Sequence, residues 1–264
     1  MPTIQVNGTE LYYELHGPED AEVLVLANGV LMSTASWALQ TPVLSKHYRL
    51  LLHDCRGMWR SAHPAGPYTM ELHADDLAAL MDALGIEKAH IGGISYGAEL
   101  GMVFALKYPE RTRSLILSSA VSHSDPVLEG LIGSWVAAAK MKDPALLYQV
   151  SYPLNFSDAY IAVNRAAIEA AAERYQLLDM DAVLELLLCF NRLNITADLH
   201  KIDVPALVMV GEQDILKPRK YSEIIAREIP DAELVVVPHS GHALCLEQPG
   251  IFNALVLGFL ARQN

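Results

Sequence analysis

Over the first 120 residues the chain alternates between short, unbroken apolar runs and longer stretches with apolar positions at helical spacing. Residues 4–6 and 11–15, separated by Asn7-Gly8-Thr9, predict a hairpin. Val23-Leu24-Val25-Leu26-Ala27 is unbroken, as in a strand covered on both faces, and Asn28-Gly29 ends it. A short helix is predicted around 37–44, then a strand over 48–52 that runs into the loop Asp54-Cys55-Arg56-Gly57. Leu72, Leu77, Leu80, Met81 and Leu84 share one face of a helix over 70–84. A buried strand over 88–92, a helix ending at Tyr108-Pro109 and a strand over 114–118 follow. Such alternation implies a mostly parallel sheet with helices on both faces.

The rhythm then stops. Between about 122 and 200 the spacing predicts helices alone, over 127–141, 145–150, 158–175 and 181–193. It resumes with a strand over 206–210 closed by Gly211, a helix over 219–229, a strand over 234–237 and a helix over 251–261. The organisation expected is an α/β core of residues 1–121 and 201–264, with residues 122–200 inserted as a helical cap. No repeats or low-complexity segments interrupt it.

Chemistry concentrates at the junction of the strand at 88–92 and the helix after it, where Gly93-Ile94-Ser95-Tyr96-Gly97 matches G-x-S-x-G. This pattern is a nucleophile elbow, a sharp strand-to-helix turn that lifts a serine hydroxyl above a sheet. Side chains two residues before and after the serine would collide, so both places need glycine. The five residues alone decide little, but their flanks supply the strand and the helix that the turn requires. A serine hydroxyl needs a base, and the base an orienting acid, in the chain order Ser, Asp/Glu, His. Asp214 follows the strand at 206–210, and His242 follows the strand at 234–237. Both lie just past strand C-termini, where α/β sheets carry their sites. Asp125 is the rival acid, but it precedes Pro126 at a helix start, where it has a job as N-cap. His239 fits a turn less well than the Gly241-His242 pair. The other histidines are expected to be surface or structural residues, Glu212 a backbone-capping loop carboxylate, and Glu99 a partner to a helix neighbour. The oxyanion of a tetrahedral intermediate needs two N–H donors. Tyr96, after the nucleophile, and Val30, after Asn28-Gly29, are placed for it.

Composition narrows the partners. Of the 264 residues 52% are hydrophobic, ample for a large core, yet no apolar run approaches the roughly 20 residues of a membrane span. The start Met1-Pro2-Thr3-Ile4 has neither the basic nor the apolar region of a secretory signal. The three cysteines, Cys55, Cys189 and Cys245, are widely spaced, which predicts reduced thiols in a cytoplasmic protein and no metal-ligand set. A net charge of −12 argues against nucleic acid or an anionic membrane as partner.

On Asn28-Gly29-Val30, Asp54-Cys55-Arg56-Gly57, the elbow with Ala98, Gly211-Glu212-Gln213-Asp214 and Gly241-His242, the chain resembles the α/β-hydrolase superfamily. The likeness is to its capped branch of esterases, lactonases and C–C hydrolases, with 3-oxoadipate enol-lactonases the nearest group. Two departures stand out: Asn28 occupies a position usually held by histidine, and Trp59 replaces the second glycine of D-x-R-G-x-G-x-S, where it could reshape the pocket edge. The segment from Asn28 to Ser36 is also similar to the acyltransferase that joins 3-hydroxyacyl chains in rhamnolipid synthesis. The resemblance implies the α/β-hydrolase fold and a serine hydrolase acting on a small-molecule carboxylic ester or lactone, with no cofactor and no metal. An acyltransferase using an alcohol acceptor, or a non-catalytic ligand-binding relative, would share the same site. Within the cap, the apolar residues Leu131, Ile132, Trp135, Val136, Leu147, Phe156, Leu187 and Leu188 either pack the helices together or contact substrate. Trp135 and Phe156 are the candidates for contact.

Overall fold

The computed structural model describes residues 2–263. Eight strands form one sheet in the order β1-β2-β4-β3-β5-β6-β7-β8. They are β1 (Thr3–Val6), β2 (Thr9–His16), β3 (Val23–Ala27), β4 (Arg49–His53), β5 (Ala89–Ile94), β6 (Thr112–Ser118), β7 (Ala206–Gly211) and β8 (Ala232–Val237). The β1–β2 hairpin and the β2–β4 pairing are antiparallel, and every other pairing is parallel. Helices α1 (Thr41–Leu44), α2 (Met70–Ala83), α3 (Tyr96–Lys107), α4 (Pro126–Lys140), α5 (Pro144–Asn155), α6 (Asp158–Tyr175), α7 (Met180–Asn191), α8 (Arg219–Glu228), α9 (Leu244–Glu247) and α10 (Pro249–Leu260) complete the chain.

The unbroken apolar strands are covered twice because successive side chains point to opposite faces. Val23, Val25 and Ala27 of β3, Leu115 and Leu117 of β6 and Val208 of β7 pack with α2, α3 and α8. Leu24, Leu26, Ile116, Leu207 and Met209 pack on the other face with Trp37, Leu44 of α1 and Phe252 and Val256 of α10. Local patterning misjudged several lengths. The helix expected over 145–150 runs from Pro144 to Asn155, straight through Pro153. The one expected around 37–44 is a 3-10 turn, Thr34–Trp37, followed by α1. Strand β8 starts two residues earlier, at Ala232.

Helices α4–α7 lie between β6 and β7, and their inner side chains, among them Leu128, Ile132, Val183 and Leu186, join the core on the α2–α3 face. His123 and Asn194 form an isolated antiparallel bridge where this segment leaves and rejoins the sheet. Asp125 caps α4, accepting from the N–H groups of Val127 and Leu128 at 3.0 Å each. No helix of the described residues is long and apolar enough to cross a membrane.

Candidate active site

Ser95 sits between β5 and α3 with φ 54° and ψ −121°, a left-handed conformation that a side chain adopts only when its surroundings enforce it. The enforcement is visible. Ser95 N–H bonds the Ser118 carbonyl at 2.8 Å, and the Ser95 carbonyl accepts from Ala98 and Glu99 as the helix begins. A Cβ on Gly93 would stand 2.5 Å from the Gly97 carbonyl carbon, and one on Gly97 would stand 2.2 Å from the Ala27 oxygen. Both contacts are too short, so each of the two flanking positions admits glycine alone.

The parallel strands deliver the other groups to the same sheet edge. Asp214 Oδ2 lies 2.9 Å from Nδ1 of His242, and both side chains are almost completely buried. A Cβ on Gly211 would meet the Gly241 oxygen at 2.2 Å, so the ends of β7 and the His242 loop touch backbone to backbone. Ser119 Oγ donates to the His242 carbonyl at 3.0 Å. Glu247 accepts from Gly241 N–H at 2.9 Å and from Ser157 at the start of α6, tying that loop to the helical layer. Asp125 lies elsewhere: beyond its cap bonds it accepts from Tyr221 Oη at 2.7 Å and Lys220 Nζ at 3.1 Å. Burial would raise its carboxyl, but these bonds outweigh burial and hold it at about 2. His239 is exposed, and its N–H bonds Glu212.

Ser95 and His242 open onto a cavity of about 280 Å³ between the sheet edge and the helices α4–α7. Val30 and Tyr96 both line it. The Tyr96 side chain turns into the core, where its hydroxyl meets His73 Nε2 at 2.8 Å. Of the apolar residues singled out between 122 and 200, Ile132, Trp135, Phe156 and Leu187 line the cavity, and Leu131, Val136, Leu147 and Leu188 do not. Four tyrosines that the sequence did not mark, Tyr148, Tyr152, Tyr160 and Tyr175, line it too. Tyr148 stacks on Tyr152 and Phe156 on Tyr160, so two stacked aromatic pairs wall the cavity.

One acidic position, Glu99, departs from expectation. Glu99 does not serve a helix neighbour: it is fully buried and pairs with Lys217 Nζ. Lys217 itself was missed. Its ammonium lies 3.0 Å from Ser95 Oγ, and among the described residues Ser95 Oγ bonds to it and not to His242. A signal existed: Glu99 is the one charge in the helix sequence Tyr96–Leu106 before Lys107, and a lone charge in an all-apolar helix is buried. Its partner could not be named from spacing.

The two departures in sequence resolve locally. Asn28 donates to the His53 carbonyl at 3.0 Å and to Asp54 Oδ1 at 2.9 Å, and accepts from Trp37 Nε1 at 2.8 Å. Burial pushes Asp54 up to about 6, against hydrogen bonds from Thr34, Arg60 and Asn28. Trp59 does not line the cavity. It adopts φ 41°, bonds the Leu31 carbonyl at 3.3 Å and carries the Arg174 guanidinium over its ring.

The sequence model of the family described as "alpha/beta hydrolase fold" matches residues 22–249. The chain belongs to this family. A protein of Caulobacter sp. (strain K31) named "Putative carbamate hydrolase RutD" is 32% identical over 258 residues, spanning 95% of this chain and 96% of its own. An α/β-hydrolase enzyme, MGS-M2, from a Medee basin deep-sea metagenome library superposes with a TM-score of 0.94 at 30% identity, covering 98% of this chain and 97% of its own. The enol-lactonase from Burkholderia xenovorans LB400 superposes with a TM-score of 0.93 at 27% identity, covering 98% of this chain and all of its own. The protein is a hydrolase of this fold, with lactonase-like relatives as the resemblance implied.

Proposed function

We propose that the protein is a serine hydrolase that cleaves a carboxylic ester or lactone through an acyl-enzyme, with residues 122–200 acting as a cap over the site. The observation that carries this reading is the strained Ser95 at the mouth of α3, opening onto the same cavity as a His242–Asp214 pair bonded at 2.9 Å. With Nδ1 occupied by Asp214, the Nε2 of His242 takes the proton of Ser95 Oγ as the oxygen bonds to the acyl carbon. The N–H groups of Val30 and Tyr96 stabilise the oxyanion, helped by the N-terminus of α3. The intermediate collapses and the alcohol leaves with the proton held by His242. Water then repeats the sequence and releases the acid. The aromatic wall suits a flat or apolar group on the acyl or alcohol side.

The name carried by the Caulobacter relative favours a second substrate, a carbamate. It presents the same carbonyl to the same groups, with nitrogen on the acyl carbon. A panel of p-nitrophenyl esters, lactones and carbamates separates the two. Ester or lactone turnover lost in Ser95→Ala, with an active-site phosphonate attached to Ser95, is the expected result. Turnover of carbamates alone would shift the substrate class, and labelling that survives Ser95→Ala would overturn the nucleophile.

A further inference from the structure

Lys217 enters the site through the residue that orients the histidine. Asp214 holds His242 with Oδ2, and its Oδ1 accepts the Lys217 backbone N–H at 2.8 Å. From there the side chain passes over the Phe190 ring, its Nζ 4.6 Å from the ring centroid, and ends against Ser95 Oγ and Glu99. Lys217 and Glu99 are 2% and 0% exposed. A buried ion pair gains little over an apolar pair of the same volume, so folding by itself gives no reason for an ammonium at this place. Among the described residues that line the cavity, Lys217 is the one lysine or arginine.

We propose that Lys217 is a further catalytic residue. Its ammonium, held in place by Glu99, stabilises the negative charge that Ser95 Oγ carries as it passes its proton to His242, and again as it leaves the acyl group. This rests on the serine-hydrolase reading above. The bonding capacity of the hydroxyl permits it: Oγ has one proton and two lone pairs. One lone pair accepts from Lys217, the proton is free to turn to His242, and the other lone pair attacks carbon. In acylation the proton moves from Oγ to His242 and on to the leaving alcohol. In deacylation it moves from water to His242 and back to the departing Oγ. Lys217 keeps all three of its protons throughout and acts through its N–H and its charge. Glu99 is suited to hold it. Its Oε1 also accepts from Val121 N–H at 3.3 Å, and its position in the first turn of α3 favours a carboxylate.

The competing account is a purely structural ion pair, and removing both charges together separates the two. The double variant Glu99→Leu/Lys217→Met leaves no unpaired buried charge, so it should keep a melting temperature near that of the parent. The readouts are the rate of phosphonate attachment to Ser95 and the separate acylation and deacylation rates on a p-nitrophenyl ester under single-turnover conditions. Loss of a hydrogen bond to a charged group predicts all three slowed roughly ten- to a hundredfold. A folded double variant that labels and turns over at the parent rate overturns the proposal. If that variant does not fold, Glu99→Gln/Lys217→Gln keeps polar contacts without charge. The same slowing then supports the role, and parental rates overturn it. If the parent itself fails to label at Ser95, the serine-hydrolase reading fails and this proposal falls with it. A parent that labels normally beside an unchanged double variant removes Lys217 alone.

Discussion

At the scale of single residues, the arrangement around Ser95 turns on atoms that are absent as much as on those present. The Cβ that Gly97 lacks would lie 2.2 Å from a backbone oxygen of β3, and no rotamer change relieves a backbone contact. Gly97→Ala is expected to lower stability by about 3 kcal/mol or more, read as a shift in urea unfolding. A variant as stable as the parent would mean the turn relaxes. The two aspartates should part just as clearly. Asp214→Asn is expected to leave binding nearly intact and to cut turnover, since in a comparable triad the change costs about 10⁴ in rate. Asp125→Ala should leave turnover alone and cost about 1 kcal/mol through its lost N-cap. Measuring both on one ester decides between them, and a crippled Asp125→Ala would reverse the assignment.

At the scale of elements, the helices between β6 and β7 differ in what they bring to the cavity. Helix α4 contributes Ile132 and Trp135, and α6 contributes Tyr160, Ile168 and Tyr175. Phe156, at the join of α5 and α6, is half-buried and stacked on Tyr160 at 5.2 Å. Phe156→Ala is therefore expected to broaden acyl-chain preference towards longer esters with little change in melting temperature. An unchanged chain-length profile would assign the ring to packing. Trp135 is a poorer probe. It is 2% exposed and bonds the Val150 carbonyl, so its truncation should cost about 3–5 kcal/mol whatever it does to substrate. The short polar-to-apolar repeats of the sequence located these helices but not their inward faces. Tyrosine, apolar in its ring and polar at its tip, reads the same on a packed face as on a wet one.

At the scale of the whole molecule, pH should act through buried groups outside the Ser95, Asp214 and His242 cluster. Burial holds His53 at about 4. Burial, with Arg56 and His53 nearby, holds His73 at about 3. Unfolded, both take up protons near pH 6.5. The unfolded chain thus binds more protons below that value, and stability falls as the pH drops from 6.5 towards 4. Asp54 works in the opposite sense. Raised to about 6, it holds a proton in the folded state that the unfolded chain releases above about 3.9, so it favours folding on acidification across that window. Two histidines outweigh one carboxylate, and net stability should decline from pH 6.5 to 4. His53→Leu is expected to flatten that decline in urea titrations taken at several pH values. An identical slope in parent and variant would show that the histidine is not the group responsible.

The sequence by itself determined whatever depends on neighbours along the chain. Unbroken apolar runs marked strands covered on both faces, helical spacing marked the segment without strands, and the glycines of 93–97 marked a turn that no other residue permits. Asp125 before Pro126 and Glu212 before a turn were legible as backbone caps for the same reason: each meets the backbone N–H it caps within a few residues of chain or across one strand end. Tertiary structure alone decided which further charges meet across the sheet, beyond the Asp214 and His242 that chain order had already picked out. Glu99 and Lys217 are separated by 118 positions, and nothing in either neighbourhood encodes the other. They meet because β5 and β7, with β6 between them, end at the same edge and aim their following segments at one point. A parallel sheet gathers the ends of distant strands, so its local patterns can be read in order while the charges it brings together cannot.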